Sequence, residues 1–126
     1  MPRFVILHHQ MPPDSDRQSH WDLMLESDQV LRTWALAEEP REESTIAADS
    51  LPNHRLAYLE YQGPVSNNRG FVRHWDAGEY QAISLADNRA EFTLRGRRLT
   101  CQLRLEREPG SDRNWTATFR PQRGEQ

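Results

Sequence analysis

Along this chain apolar residues alternate with polar ones far more often than they recur at helical spacing. From His20 to Glu26, Trp21, Leu23 and Leu25 fall on one face of an extended strand. His20, Asp22, Met24 and Glu26 fall on the other, because successive strand side chains point to opposite sides. Val30 to Ala37 continues as a second strand, and Ser27-Asp28-Gln29 joins the two into a hairpin. Arg3 to His8 is a short apolar run rich in branched residues and reads as a strand. Met11 to Arg17, with Pro12-Pro13, is a loop. Glu38 to Ser44 is charged, contains Pro40, and suggests a turn or short exposed helix. Arg55 to Tyr61 reads as a strand and Gly63 to Gly70 as a polar loop. Phe71 to Trp75, Glu79 to Leu85, Arg89 to Leu94, Leu99 to Arg107 and Trp115 to Phe119 follow as strands. Turns at Asp76-Ala77-Gly78, Ala86-Asp87-Asn88, Arg95-Gly96-Arg97 and Pro109 to Arg113 punctuate them. No segment carries a helical apolar stripe.

Short strands at near-regular spacing predict an all-β, mainly antiparallel fold, a single compact β-barrel with at most short helical turns. Trp21, Leu23, Leu25, Trp34 and Leu36 are its expected core. The chain has 126 residues, the length of one domain spanning 1–126, with a tail from about Pro121 expected to fray. At 36% hydrophobic and 28% charged residues a modest core and a water-compatible surface are both affordable. The net charge of -3 excludes a global basic field that would draw in nucleic acid, so any such contact is local. All 16 basic residues are arginines, the side chain suited to planar contact with phosphate. The one cysteine, Cys101, excludes an internal disulfide and reads as a core thiol. Without a signal-like amino terminus or an apolar run near the roughly 20 residues of a membrane span, a cytoplasmic protein with no membrane partner is expected.

The candidate chemistry lies in the histidines. His20 and Asp22 share a strand face, so an imidazole and a carboxylate can converge on one ion. His9, where the first strand runs into its loop, completes a two-His, one-carboxylate set if that strand neighbours the second. Such a set suits manganese or zinc. The same His-x-Asp spacing also suits an ordinary surface hydrogen-bonded pair. His8 and His9 point to opposite faces, so only one of them can join. His74, beside Trp75, reads as structural.

Several ordered motifs carry a resemblance. Phe4-Val5-Ile6-Leu7-His8-His9 is followed by His20-Trp21-Asp22-Leu23-Met24-Leu25-Glu26 and by Val30-Leu31-Arg32-Thr33-Trp34-Ala35-Leu36. Asn53-His54-Arg55-Leu56-Ala57-Tyr58-Leu59-Glu60-Tyr61-Gln62-Gly63 and Trp75-Asp76-Ala77-Gly78 come next. Together they resemble the 3′-phosphoesterase domain of bacterial DNA ligase D. The resemblance implies a β-barrel with a concave active site and a divalent ion, usually manganese, held by His9, His20 and Asp22. It implies that His54 and Tyr58 engage the phosphate and support catalysis. The implied reaction is removal of a 3′-phosphate or 3′-terminal ribonucleoside from DNA ends, a phosphomonoesterase or phosphodiesterase step in DNA repair. With no polymerase or ligase segment in the chain, such partners would act in trans.

The departures thin the phosphate clamp. An arginine of the family falls at Met24 and another at Ile46. The family's acidic and basic arm has no counterpart ahead of Met1-Pro2-Arg3, and its glycine-rich loop is reduced to Gln62 to Gly70. Arg17, Arg69 and Arg73 are candidates to substitute. The alternative reading is therefore a catalytically impaired metal- or nucleic-acid-binding module, or a phosphoesterase for a small substrate.

Overall fold

The structure is a computed structural model and describes residues 2–121. Among the described residues there are nine strands: β1 (Arg3–Gln10), β2 (His20–Ser27), β3 (Val30–Leu36), β4 (Ser44–His54), β5 (Gly63–Pro64), β6 (Phe71–Leu85), β7 (Arg89–Gly96), β8 (Thr100–Arg107) and β9 (Asn114–Pro121). They follow the order β1-β2-β3-β4-β9-β8-β7-β6, and β6 pairs back onto β1. Every pairing is antiparallel. The result is the expected all-β barrel; eight strands build it, closed so that its backbone groups meet partners all the way round. The short β5 is added on the free side of β6. No helix among the described residues is long and apolar enough to cross a membrane.

Alternation decides what fills the barrel. Phe4 and Ile6 of β1, Leu23 and Leu25 of β2, and Trp34 and Leu36 of β3 point inward. There they meet Phe92, Leu94, Leu103, Leu105, Trp115 and Phe119 from β7 to β9. Cys101 is fully buried there, and burial pushes its thiol up to about 12. Trp21 is the exception among the expected core residues. It is only partly buried at the margin of the interior, with its ring stacked 4.5 Å from that of His8.

The outer face of β1 to β3 is also covered, which alternation alone did not foresee. Val5, Leu7, Met24 and Leu31 form a second apolar cluster with Leu59 and Val72. Leu59 comes from the segment read as a strand from Arg55 to Tyr61. That segment is instead a single 3₁₀ turn, Leu56–Leu59, closed by bonds from the Tyr58 and Glu60 amides to the carbonyls of Arg55 and Ala57. Burial on both faces explains why Phe4 to Leu7 is continuously apolar.

Glu38 to Ser44 takes the turn rather than the short helix: the chain turns at Glu42 and Glu43, Glu43 with a positive φ of 63°, and β4 starts at Ser44. Two further expectations are corrected. β4 itself was not anticipated. Asp76-Ala77-Gly78 is not a turn, because β6 runs unbroken from Phe71 to Leu85. The buried Asp76 carboxylate instead accepts hydrogen bonds from the amides of Ala77, Arg97, Arg98 and Leu99 at 2.7 to 3.0 Å, pinning the β7–β8 turn. Gly96 is required there, since a Cβ would lie 2.3 Å from Asp76 Oδ2.

Candidate metal centre

The antiparallel register of β1 and β2 sets His9 directly opposite His20 and Leu7 opposite Asp22. Cross-strand partners share a face, so His9, His20 and Asp22 converge on the outer surface of the barrel. His8 lies on the opposite face against Trp21. Ligand atoms of the three residues all lie within 4.8 Å of one another. Asp22 Oδ2 is 3.0 Å from His9 Nδ1, and Asp22 Oδ1 is 3.1 Å from His20 Nε2.

Backbone carbonyls fix how each imidazole is used. His9 Nε2–H donates to the Arg69 carbonyl at 2.7 Å, and His20 Nδ1–H donates to the Gln18 carbonyl at 3.0 Å. A carbonyl only accepts, so each contacting nitrogen carries the proton and the other nitrogen turns to the cluster. Gly70 positions the Arg69 carbonyl. Its φ is 92°, and a Cβ there would lie 2.0 Å from the Gln10 carbonyl oxygen.

Charge at the cluster is unevenly held. Burial works against the Asp22 carboxylate, yet the imidazoles of His20 and His9 outweigh it and hold its pKa down at about 2. Burial also works against a proton on His9, but Asp22 and the Arg69 carbonyl prevail and shift its pKa upward. His20 Nε2 and Asp22 Oδ1 face each other out of hydrogen-bond alignment. Both are buried without a hydrogen-bond partner among the described residues. With the His20 proton on Nδ1, both atoms are acceptors, and a buried acceptor left unpartnered costs about 1–3 kcal/mol. A divalent ion between them would satisfy both, and the N,N,O donor set suits manganese or zinc.

The cluster lies in a cleft of about 400 Å³ that His54 and Tyr58 also line. His54 reaches it through an irregularity in β4. Leu31 pairs with His54 but Thr33 pairs with Leu51, so β4 carries one more residue than β3 across this interval. The bulge shifts His54 off the inward face of Ile46 and Ala48 and onto that of Leu31 and Leu51. His54 Nδ1–H donates to the Pro52 carbonyl at 2.9 Å, leaving Nε2 for the cleft. The His54 and Tyr58 rings meet edge to face with centroids 5.5 Å apart.

The arginine candidates divide. Arg17 and Arg69 line the cleft, and Arg69 is tied back to Ser66 by two hydrogen bonds from its guanidinium. Arg73 pairs in register with His8, on the opposite face, and lies over the Phe71 ring. Ile46 is buried in the barrel interior, so an arginine at this position would not face the site. Met24 forms part of the cleft floor and is 1% exposed. His74 is exposed outside the cluster. The contributions sequence reading missed are backbone ones, the carbonyls of Gln18, Pro52 and Arg69, which no residue type announces.

No curated protein matches the chain. The family model described as the DNA ligase D 3′-phosphoesterase domain matches residues 12–107, which takes in His20, Asp22, His54 and Tyr58 and leaves His9 just outside. A match over that much of a 126-residue chain, joined to the barrel and to the cleft on its outer face, means that the chain belongs to the DNA ligase D 3′-phosphoesterase domain family.

Proposed function

We propose that this protein is a divalent-metal-dependent 3′-phosphoesterase that removes a 3′-phosphate, or a 3′-terminal ribonucleoside, from DNA ends during repair in the cytoplasm. The observation that carries the reading is the pair of buried, partnerless atoms His20 Nε2 and Asp22 Oδ1 beside His9, at the bottom of a cleft that His54 and Tyr58 overlook. His9, His20 and Asp22 would hold the ion, manganese first and zinc as the alternative. When bound, a divalent ion supplies Lewis-acid polarisation of the phosphoryl oxygens.

The remaining roles fall to the chain's own side chains. With its Nδ1–H committed to Pro52, His54 presents Nε2 as the atom that exchanges a proton with substrate. The Tyr58 hydroxyl donates to a phosphate oxygen, and Arg17 and Arg69 supply positive charge at the rim. Leu51, Met24 and Val72 exclude water from the floor.

The test is release of phosphate from a primer bearing a 3′-phosphate, with and without manganese. Substituting His9, His20 or Asp22 with Ala should abolish the manganese-dependent rate, and His54→Ala should lower it by roughly 10²- to 10⁴-fold. A wild-type protein that binds manganese but releases no phosphate sinks the reading. The apolar floor at Met24, where the family carries arginine, favours a second outcome in that event: a metal-binding module, or a phosphoesterase for a small substrate.

A further inference from the structure

Beside the metal cleft lies a second hollow of about 240 Å³, lined by Arg55, Tyr58, Tyr61, Pro64, Val65 and Ser66. Tyr58 and Val65 belong to both cavities, so the two are contiguous and share a wall. Tyr61 is 36% exposed. Its hydroxyl donates to the Pro64 carbonyl, which fixes the ring against the β5 strand. The Tyr58 ring meets it edge to face with centroids 5.7 Å apart. An aromatic ring anchored at its hydroxyl and packed against a second ring keeps one orientation at low entropic cost. Arg55, exposed at the border of the hollow, adds a cation. An exposed aromatic platform with a guanidinium beside it is the arrangement that receives an unpaired base and its backbone.

We propose that this hollow is a base-stacking subsite that takes the base of the 3′-terminal nucleotide of a single-stranded or frayed DNA end, stacked on Tyr61, with Arg55 against the preceding phosphate. The inference rests on the phosphoesterase reading and deepens it. An acidic chain lacking a global basic field needs a local device to hold a DNA end. Stacking serves this because every base has a π-face, so the subsite is indifferent to sequence. It also requires the terminal base to leave the duplex, so the protein prefers frayed or single-stranded ends over flush ones.

The experiment measures fluorescence anisotropy of a labelled single strand ending in a 3′-hydroxyl, the product end, which binds without turning over. Wild type is titrated in manganese with the intact strand and with a strand whose terminal nucleotide is abasic. Tyr61→Leu and Tyr61→Phe are titrated with the intact strand. Loss of the base, or of the ring in Tyr61→Leu, should raise Kd by roughly ten- to a hundredfold, and Tyr61→Phe should leave it within about twofold. The abasic strand should bind Tyr61→Leu no more weakly than wild type. Equal affinity of wild type for the intact and abasic strands overturns the subsite without involving any variant. Equal losses in Tyr61→Phe and Tyr61→Leu overturn it as well, because the hydroxyl anchor would then be the cause. If wild type releases 3′-phosphate from intact and abasic ends with the same KM, only the subsite falls. If it releases none and binds neither strand, the phosphoesterase reading falls with it.

Discussion

At the scale of single residues, Met24 would decide how well the proposed phosphoesterase cleft grips a phosphate. Its side chain lies on the face of His20 and Asp22 but packs against Val5, Leu7 and Leu31 in the outer apolar cluster. Arginine there would keep its stem in that cluster and reach for the cleft with its guanidinium. The extra volume costs about 1–3 kcal/mol of stability. The regained charge-assisted contact contributes about 1.5–3 kcal/mol to phosphate binding. Met24→Arg should therefore melt at lower temperature yet release 3′-phosphate faster by roughly one to two powers of ten. A variant that folds and binds manganese without any gain in rate would show that the floor does not touch phosphate. His8 and His9 supply a sharper contrast between adjacent side chains. His9→Ala should remove manganese binding in calorimetry, while His8→Ala, which loses only the stack on Trp21, should retain it. The reverse result would shift the ligand assignment by one residue. This much of the site was legible, because strand alternation sends His20 and Asp22 to one side and separates His8 from His9. The position of His54 was not, since it depends on a bulge that residue types do not declare.

At the scale of elements, legibility followed side-chain size. β2, β3, β7, β8 and β9 alternate large apolar residues with polar ones and were readable. β4 was missed because its inward positions include the small Ala48, its outward ones include Ala47, and Pro52 lies near its end. The Arg55–Tyr61 segment misled in the opposite way. Its aromatic and leucine residues imitate a strand, whereas the chain uses them to lay a 3₁₀ turn over the outer cluster. Asp76 resembled a turn residue and does organise one, but across the sheet, where its carboxylate serves the amides of Arg97, Arg98 and Leu99. Asp76→Ala leaves those donors unmet at about 1–3 kcal/mol for each one that stays buried. We expect a loss of about 3 kcal/mol or more, read as a fall in denaturant midpoint at unchanged slope. The proposed metal ligands lie on β1 and β2, so manganese affinity should stay within about twofold of wild type. A variant as stable as wild type would mean that water replaces the carboxylate at the β7–β8 turn.

At the scale of the whole molecule, the proposed ion would couple the fold to pH. His9 belongs to β1, His20 and Asp22 to β2, and the carbonyl that orients His9 to the loop ahead of β6, so one ion would tie three parts of the barrel together. Ligand that binds only the folded state stabilises it by about 2.7 kcal/mol at a hundredfold excess over Kd. Manganese should therefore raise the melting temperature, and the size of that rise should depend on protons. Without metal, a protonated His9 would donate from Nδ1 to Asp22 Oδ2, in the place proposed for the ion. Because the folded pKa of His9 is raised above its ordinary 6.5, its protonation supports the metal-free fold below that value and ceases to do so as pH climbs through the raised one. The metal needs the same nitrogen unprotonated, so the manganese-induced shift should be small below 6.5 and grow as pH passes the His9 pKa. Asp22 imposes no such limit in that range. Its folded pKa of about 2 lies below the ordinary 3.8, so its contribution is present above 3.8 and is lost only as pH falls toward 2. Thermal melts with and without manganese, taken from pH 5 to pH 9, separate the two groups. A shift already full at pH 5 would mean that the ion does not displace the His9 proton, and His9 would have to be removed from the proposed ligand set.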